Sequence, residues 1–360
     1  MAASHIVQSC CSIFKGFWKR HQLNVGLMVG AVMSAKRVGV ACLGRELPGA
    51  TAPKHSIKRV DRFLSNQRFD HFEAQKALLR QVVGPRERVL IAIDWTKIRE
   101  WPVLVAAVVH KGRAIPVLWS VLDPRKAYKS MNAFENGFFT LLADFLPEGT
   151  KATVLLDRGF KRVELMPHLR RLGLDFVIRT GGNVHVRHAR YSGRMDGLLH
   201  QPGTACDFVG AILRPSRPVE TRIVGVHQPQ AKEPWLLATS LPDPAAHIAK
   251  LYSRRFRIEE SFRDEKDVRF GLHLRLQRVT RADRLERLLL IAAVAHYIAM
   301  LYGALARSRK LDRTFRANTV TTEPTHSDFT LGLYYVHRLK QSLAYLRRLF
   351  LADAIAEFGG

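Results

Sequence analysis

Two hydrophobic periods divide this chain, and the change from one to the other marks its organisation. His55 to Leu64 places Ile57, Val60, Phe63 and Leu64 at helical intervals and leaves Lys58, Arg59 and Arg62 outside. A second helical pattern covers Phe72 to Val83, with Gly84-Pro85 as its stop. From Arg88 the period shortens. Val89 to Ile93 is a continuous apolar run ending in Asp94, as expected of a strand buried on both faces. Pro102 to Val109 and Ala114 to Leu122 follow around a His110-Lys111-Gly112 turn, which predicts a three-stranded meander. Asn132-x-x-Glu135 has the form of a capping box opening a helix from Ala133 to Phe145, which Pro147 ends. Strand Ala152 to Leu156 then ends in Asp157, before a turn through Gly159, a basic helix to Arg171 and a strand from Leu174 to Ile178.

Three strands followed by αβαβ predict an α/β fold with a ribonuclease H-like core. Residues 180–240 break the rhythm with Gly181-Gly182, five prolines and short β-rich stretches such as Thr221 to Val226, and read as an inserted β subdomain closing with Trp235 to Thr239. A helix from Ala245 to about Lys266 returns to the core. Leu288 to Ala306 is an apolar run near the length of a membrane span. A central helix buried on every side has the same composition, and direct continuity with the charged helix before it favours that second reading. Thr314 to Asp328 reads as a polar loop, and a last helix near Leu333 to Ile355 aligns Val336, Leu339, Leu343, Leu346 and Phe350 on one face. The expected division is a helical, basic domain over 1–86, suited to DNA binding or else a helical cap with a solvated basic face, a catalytic domain over 87–310 carrying the 180–240 insertion, and a helical region over 311–360 suited to dimerisation.

Charge changes the picture. Within 360 residues, 57 Lys and Arg against 31 Asp and Glu give a net charge of +26. The excess is spread through the chain, which fits a long phosphate-binding surface and salt-sensitive affinity. Anionic membrane or RNA would also be attracted, so charge identifies the sign of the partner. The four cysteines, Cys10, Cys11, Cys42 and Cys206, lack metal-binding spacing and suit a reducing cytosol. No signal-peptide pattern precedes Lys15, Lys19 and Arg20. A cytoplasmic, nucleoid-associated protein without a membrane partner is expected.

The chemistry concentrates in Tyr252-Ser-Arg-Arg255-Phe-Arg-Ile-Glu259-Glu-Ser-Phe-Arg-Asp-Glu-Lys266. At about 100° per residue, Arg255, Glu259 and Lys266 fall within roughly 60° of Tyr252 on a continuous helix. Leu251, Ile258 and Phe262 form an adjacent stripe for the core. Glu259 and Arg255, four residues apart, also suit a simple surface ion pair worth a few tenths of a kcal/mol. Asp94 and Asp157 both end expected strands, and strand carboxyl ends are where sites form in open α/β sheets. Either aspartate alone is explained by turn capping. The two together with the Glu259 helix point to a shared site, in which three carboxylates could bind two hard cations through oxygen. A pair of cations roughly 4 Å apart activates an attacking oxygen and stabilises a leaving one in phosphodiester displacement.

Tyr252, Arg255, Glu259 and Lys266 match the Y-x2-R-x3-E-x6-K signature, and the chain here resembles the DDE transposases of the insertion-sequence-4 family. Asp94-Trp-Thr96 looks like that family's first acidic motif, and Asp157-Arg158-Gly159-Phe160 like its second. Phe176-Val-Ile-Arg179-x3-Asn183 is similar to its segment leading into the β insertion. The resemblance covers roughly residues 55–305. It implies a metal-binding catalytic triad of Asp94, Asp157 and Glu259, with Tyr252, Arg255 and Lys266 on phosphates at the transposon end and Arg158 as a further DNA contact. It also implies two Mg²⁺ ions, for which Mn²⁺ substitutes, and a homodimer on double-stranded DNA bearing terminal inverted repeats and target. Trp235 stands where hairpin-forming relatives stack a flipped base, although a core tryptophan fits equally well. His185, His188 and His200 lack zinc spacing. A ribonuclease H-like nuclease without strand transfer, and a non-catalytic DNA-binding descendant, are the alternatives.

Overall fold

The computed structural model describes residues 2–126, 130–199, 201–214, 216–267, 271–315 and 325–339. Five helices come first: α1 (Ala2–Ile13), α2 (Lys19–Ala35), α3 (Val40–Glu46), α4 (Pro53–Leu64) and α5 (His71–Val83). Both expected helices in this region are present. Asp70 caps α5 by accepting from the Phe72 and Glu73 amides, and Gly84 closes it with a φ of 59°.

The meander follows as β1 (Arg88–Ile98), β2 (Trp101–His110) and β3 (Arg113–Val121). After α6 (Met131–Phe145) the chain forms β4 (Lys151–Leu156), α7 (Leu165–Arg171) and β5 (Asp175–Arg179). β1, β4 and β5 are parallel neighbours, so two crossovers place helices against a sheet that starts as an antiparallel meander.

Three local expectations are corrected here. Asp94 does not end β1: it pairs with Val105 of β2, and β1 continues to Ile98. What ends before Asp94 is the parallel pairing with β4, whose last pair is Ile93–Leu156. The cap of α6 is Ser130, whose hydroxyl accepts from the Ala133 amide at 3.1 Å. Asn132 is not the cap, because the helix has already begun, and Glu135 turns inward instead. The basic helix after Asp157 is split into a 3-10 turn, Arg158–Phe160, and α7.

The β-rich stretch continues the same sheet. β6 (His185–His188), β7 (Tyr191–Arg194), β8 (Ala205–Leu213), β9 (Val219–Val226) and β10 (Trp235–Thr239) extend it to ten strands in the order β3-β2-β1-β4-β5-β10-β9-β8-β6-β7. The junction is β10, antiparallel to β5, with Leu237 opposite Arg179.

The returning helix is also broken. α8 (Ala245–Ser253) passes through a 3-10 turn, Arg254–Phe256, into α9 (Arg257–Lys266). The single helical face joining Tyr252 to Lys266 therefore does not exist as one straight stripe. Ile258 and Phe262 are buried as expected, while Leu251 is only partly buried.

The long apolar run is α10 (Ala282–Ser308), and 89% of its most hydrophobic window is buried inside the protein. It is long and apolar enough to span a bilayer, but here it is the central core helix. α11 (Asp328–Leu339) crosses it closely. A Cβ on Gly303 would overlap the Asp328 carbonyl, and one on Gly332 the Ala299 carbonyl, so both crossing points need glycine. Val336 is buried within the chain. Leu343, Leu346 and Phe350 of the expected terminal interface, and most of the expected polar loop, lie outside the described residues. One apolar cluster runs from Ile6 through Ile93 and Ile291 to Val336. Arg284 joins the N-terminal helices to α10 by bonding Asp61 and Ser65, each at 2.5 Å.

Side chains from three helices satisfy the outer edge of β3. Ser261 of α9 accepts from the Ala114 amide and donates to its carbonyl, Gln75 accepts from the Trp119 amide, and Glu286 of α10 accepts from the Val121 amide at 2.6 Å. Such capping blocks the pairing that an exposed edge invites. Glu286 has a cost attached. Burial pushes its carboxyl from 4.5 up to about 8, so the folded chain keeps a proton that the unfolded chain releases between those values. The unfolded state then binds fewer protons, and stability falls as pH rises through that window. Glu286→Gln keeps the acceptor and removes the proton linkage. Thermal unfolding followed across the Glu286 window, from 4.5 to about 8, is expected to show a shallower decline for the variant, and unchanged slopes would refute the assignment.

Candidate active site

Parallel registry brings the first two acids together. Ile93 of β1 faces Leu156 at the end of β4, and Asp94, within β1, and Asp157, just past β4, are the next residues. The Asp157 carboxylate accepts from the Gly159 amide at 2.8 Å, so it does cap its turn. Asp94 lies deeper. Burial pushes its carboxyl up to about 6, the neighbouring Asp157 carboxylate adds to the rise, Arg255 opposes it, and Glu259 adds a smaller contribution. Like charges held close in a poorly solvated site behave this way.

Arg255 links the pair to the third acid. Its Nη1 donates to Asp94 Oδ2 at 3.2 Å and its Nη2 to Glu259 Oε1 at 2.7 Å. The Arg255 side chain is 8% exposed, against 18% for Asp94 and 49% for Glu259. The 3-10 turn makes this possible. Arg255 sits within that turn, its guanidinium 4.7 Å from the centroid of the Phe256 ring and directed to Asp94 of β1. Tyr252 is buried, and burial raises its phenol while Arg255 and Arg179 act in the opposite direction. Trp235, at the start of β10, packs edge-on to Tyr252 at 5.1 Å and tilted against Phe256 at 6.2 Å.

Strand alternation distributes the rest of β1. Thr96 shares the Asp94 face and accepts a hydrogen bond from the Lys266 ammonium at the end of α9. Burial lowers the Lys266 ammonium below its ordinary range. α9 itself is fixed by Ser261 on β3 and by Asp264, which accepts from Arg113 Nε at 2.7 Å. Trp95 points to the other face, where its indole donates to buried Glu135 at 3.1 Å; Arg162 bonds the same carboxylate at 3.2 Å. Sequence reasoning missed this network because Glu135 has the spacing of a helix cap. The useful signal was alternation, which puts Trp95 on the face opposite Asp94.

The donor set is all carboxylate oxygen, which suits hard divalent cations, and Arg255 places a positive charge between Asp94 and Glu259. Among the described residues, no three His, Cys, Asp or Glu side chains converge closely enough to hold one ion. The structure thus gathers Asp94 with Asp157 and ties Glu259 in through Arg255, without a closed three-carboxylate cage. Arg158 lies beside Asp157 and bonds Glu233 at 3.4 Å, and Arg179, at the end of β5, bonds the same oxygen at 3.0 Å. His185 and His188 lie on β6, where His188 stacks on Phe208; His200 is outside the described residues.

No curated protein matches this chain. The family model described as a transposase DDE domain matches residues 85–298, from the start of the sheet through most of α10. That match spans more than half of the sequence, and the chain belongs to the DDE transposase family.

Proposed function

We propose that this protein is an insertion-sequence transposase that cleaves DNA at transposon ends and joins the freed 3′ ends to target, with Asp94, Asp157 and Glu259 as its metal-binding triad. The observation that carries this reading is the placement of Asp94 beside Asp157 where the parallel pairing of β1 and β4 ends, with Glu259 tied to Asp94 through Arg255. The meander followed by two parallel crossovers supports a ribonuclease H-like core. Two divalent cations, Mg²⁺ or Mn²⁺, would supply activation of the attacking oxygen and stabilisation of the leaving one.

The chain's own residues do the remaining work. Asp94 and Asp157 supply carboxylate oxygens from a rigid sheet, and Glu259 supplies one from a more exposed helix position. Arg255 balances their charge in the free protein and offers a planar fork to a phosphate. Lys266 holds the end of α9 to Thr96, beside the same strand. Trp235 and the 42%-exposed Phe256 form an aromatic lip next to Tyr252 on which a base can stack.

Binding of duplex ends is assigned to the N-terminal helices. There, Trp18, 69% exposed, and Arg20, Arg59, Arg62 and Arg68 line a cleft of about 470 Å³. Dimerisation on DNA through the C-terminal region completes the reading.

Three outcomes test it. Asp94→Asn, Asp157→Asn and Glu259→Gln are each expected to reduce Mg²⁺-dependent cleavage and strand transfer to background while leaving end binding intact. Retained cleavage in any variant would remove that residue from the triad, and wild-type cleavage without joining would make the protein a nuclease. Arg255→Ala is expected to cost about 2–3 kcal/mol of stability in metal-free buffer, less than a fully buried pair because Glu259 is half exposed. Mg²⁺ should restore part of that loss in thermal unfolding; equal Mg²⁺ responses in variant and wild type would argue against a cation site at these acids. Arg59→Ala and Arg62→Ala should each lower the salt dependence of duplex binding by about one unit of slope. An unchanged slope would place the DNA elsewhere.

A further inference from the structure

Two arginines at the edge of the candidate active site share one carboxylate oxygen, and we propose that Glu233 is an internal stand-in for DNA phosphate, displaced when DNA binds. This proposal rests on the DNA-processing reading above and adds a phosphate seat formed by Arg158 and Arg179 together with its resident occupant. Arg179 ends β5, paired with Leu237 of β10, and Arg158 opens the 3-10 turn two residues past the end of β4, so the sheet fixes the first backbone and sets where the second begins. Their guanidinium groups meet at Glu233 Oε2, at 3.0 Å from Arg179 Nη2 and 3.4 Å from Arg158 Nη1. Glu233 comes from the connection between β9 and β10, two residues before Trp235.

Charge and geometry both favour exchange. One carboxylate neutralises one of the two cations, so the seat keeps a net positive charge. Both arginines use the same oxygen, whereas a phosphodiester presents two non-bridging oxygens and can give one to each guanidinium. The Glu233 side chain is 59% exposed and that of Arg158 53%. Exposed ion pairs of this kind contribute only about 0–1 kcal/mol, so the occupant leaves easily. Arg179 is more enclosed, at 21%, and its charge acts on the Tyr252 phenol. The seat therefore adjoins both the second acid and the Tyr252–Trp235 contact. A DNA strand approaching the acids from the β5 side would meet these arginines. In the free protein Glu233 screens them from other anions and holds their side chains in place.

The test measures binding of a fluorescein-labelled duplex of mixed sequence, by anisotropy in metal-free buffer at fixed salt. Glu233→Gln removes the competing charge and is expected to tighten binding about three- to fivefold, the equivalent of up to about 1 kcal/mol. The Arg158→Ala/Arg179→Ala double variant should bind more weakly than wild type, and adding Glu233→Gln to it should produce no further change. Glu148→Gln, an exposed acid at the opposite end of β4, controls for overall charge. Equal gains from Glu233→Gln and Glu148→Gln, or a gain that persists without both arginines, would overturn the displacement mechanism while leaving the transposase reading intact. Failure of the wild-type protein to bind any duplex would instead overturn the underlying reading, and the proposal with it.

Discussion

Holding two carboxylates side by side at the end of a buried parallel strand pair is the constraint around which this structure is arranged. The registry of β1 with β4 fixes Asp94 and Asp157 at one level, and burial together with mutual repulsion pushes Asp94 upward in its titration. Arg255 answers that repulsion from a nearly enclosed position. It can do so only because the chain between α8 and α9 tightens into a 3-10 turn, and because α9 is clamped to the edge of β3 by Ser261 and to Arg113 by Asp264. The edge bonds that keep β3 from pairing with another strand also set the position of Glu259.

Alternation along β1 lets one strand serve two faces. Asp94 and Thr96 turn toward the helix carrying Arg255 and Lys266, while Trp95 turns toward Glu135 and Arg162. The acidic site is thereby braced from behind by a second, fully partnered polar cluster. α10 forms the floor of the core, packed so closely against α11 that glycine is required at two crossings. This packing separates a rigid interior from an exposed, arginine-rich rim, where ion pairs are individually weak and open to exchange with phosphate.

The sequence alone determined the class of element almost throughout. The period change at Arg88, the apolar strands and the order in which Asp94, Asp157 and Glu259 occur were legible because burial imposes a period of two on strands and 3.6 on helices. The same signals misled where local and tertiary demands share one residue type. Asn132 and Glu135 have capping-box spacing, yet Ser130 caps the helix and Glu135 is taken by Trp95 and Arg162. Asp94 reads as a strand end, because a polar residue stops an apolar run, although β2 carries the strand onward to Ile98.

Only the tertiary structure decided the rest. Whether the run from Leu288 to Ala306 crosses a bilayer or fills a core depends on what surrounds it, and no composition reveals that; here the sheet and the N-terminal helices surround it. The joining of the β-rich stretch to the main sheet through β10, the break before α9, and the meeting of Arg158 and Arg179 at Glu233 are likewise pairings between distant segments. Spacing along the chain fixes which residues can share a helix or strand face. Which charges meet across the fold is fixed by sheet registry and close packing, and these exist only once the chain has folded.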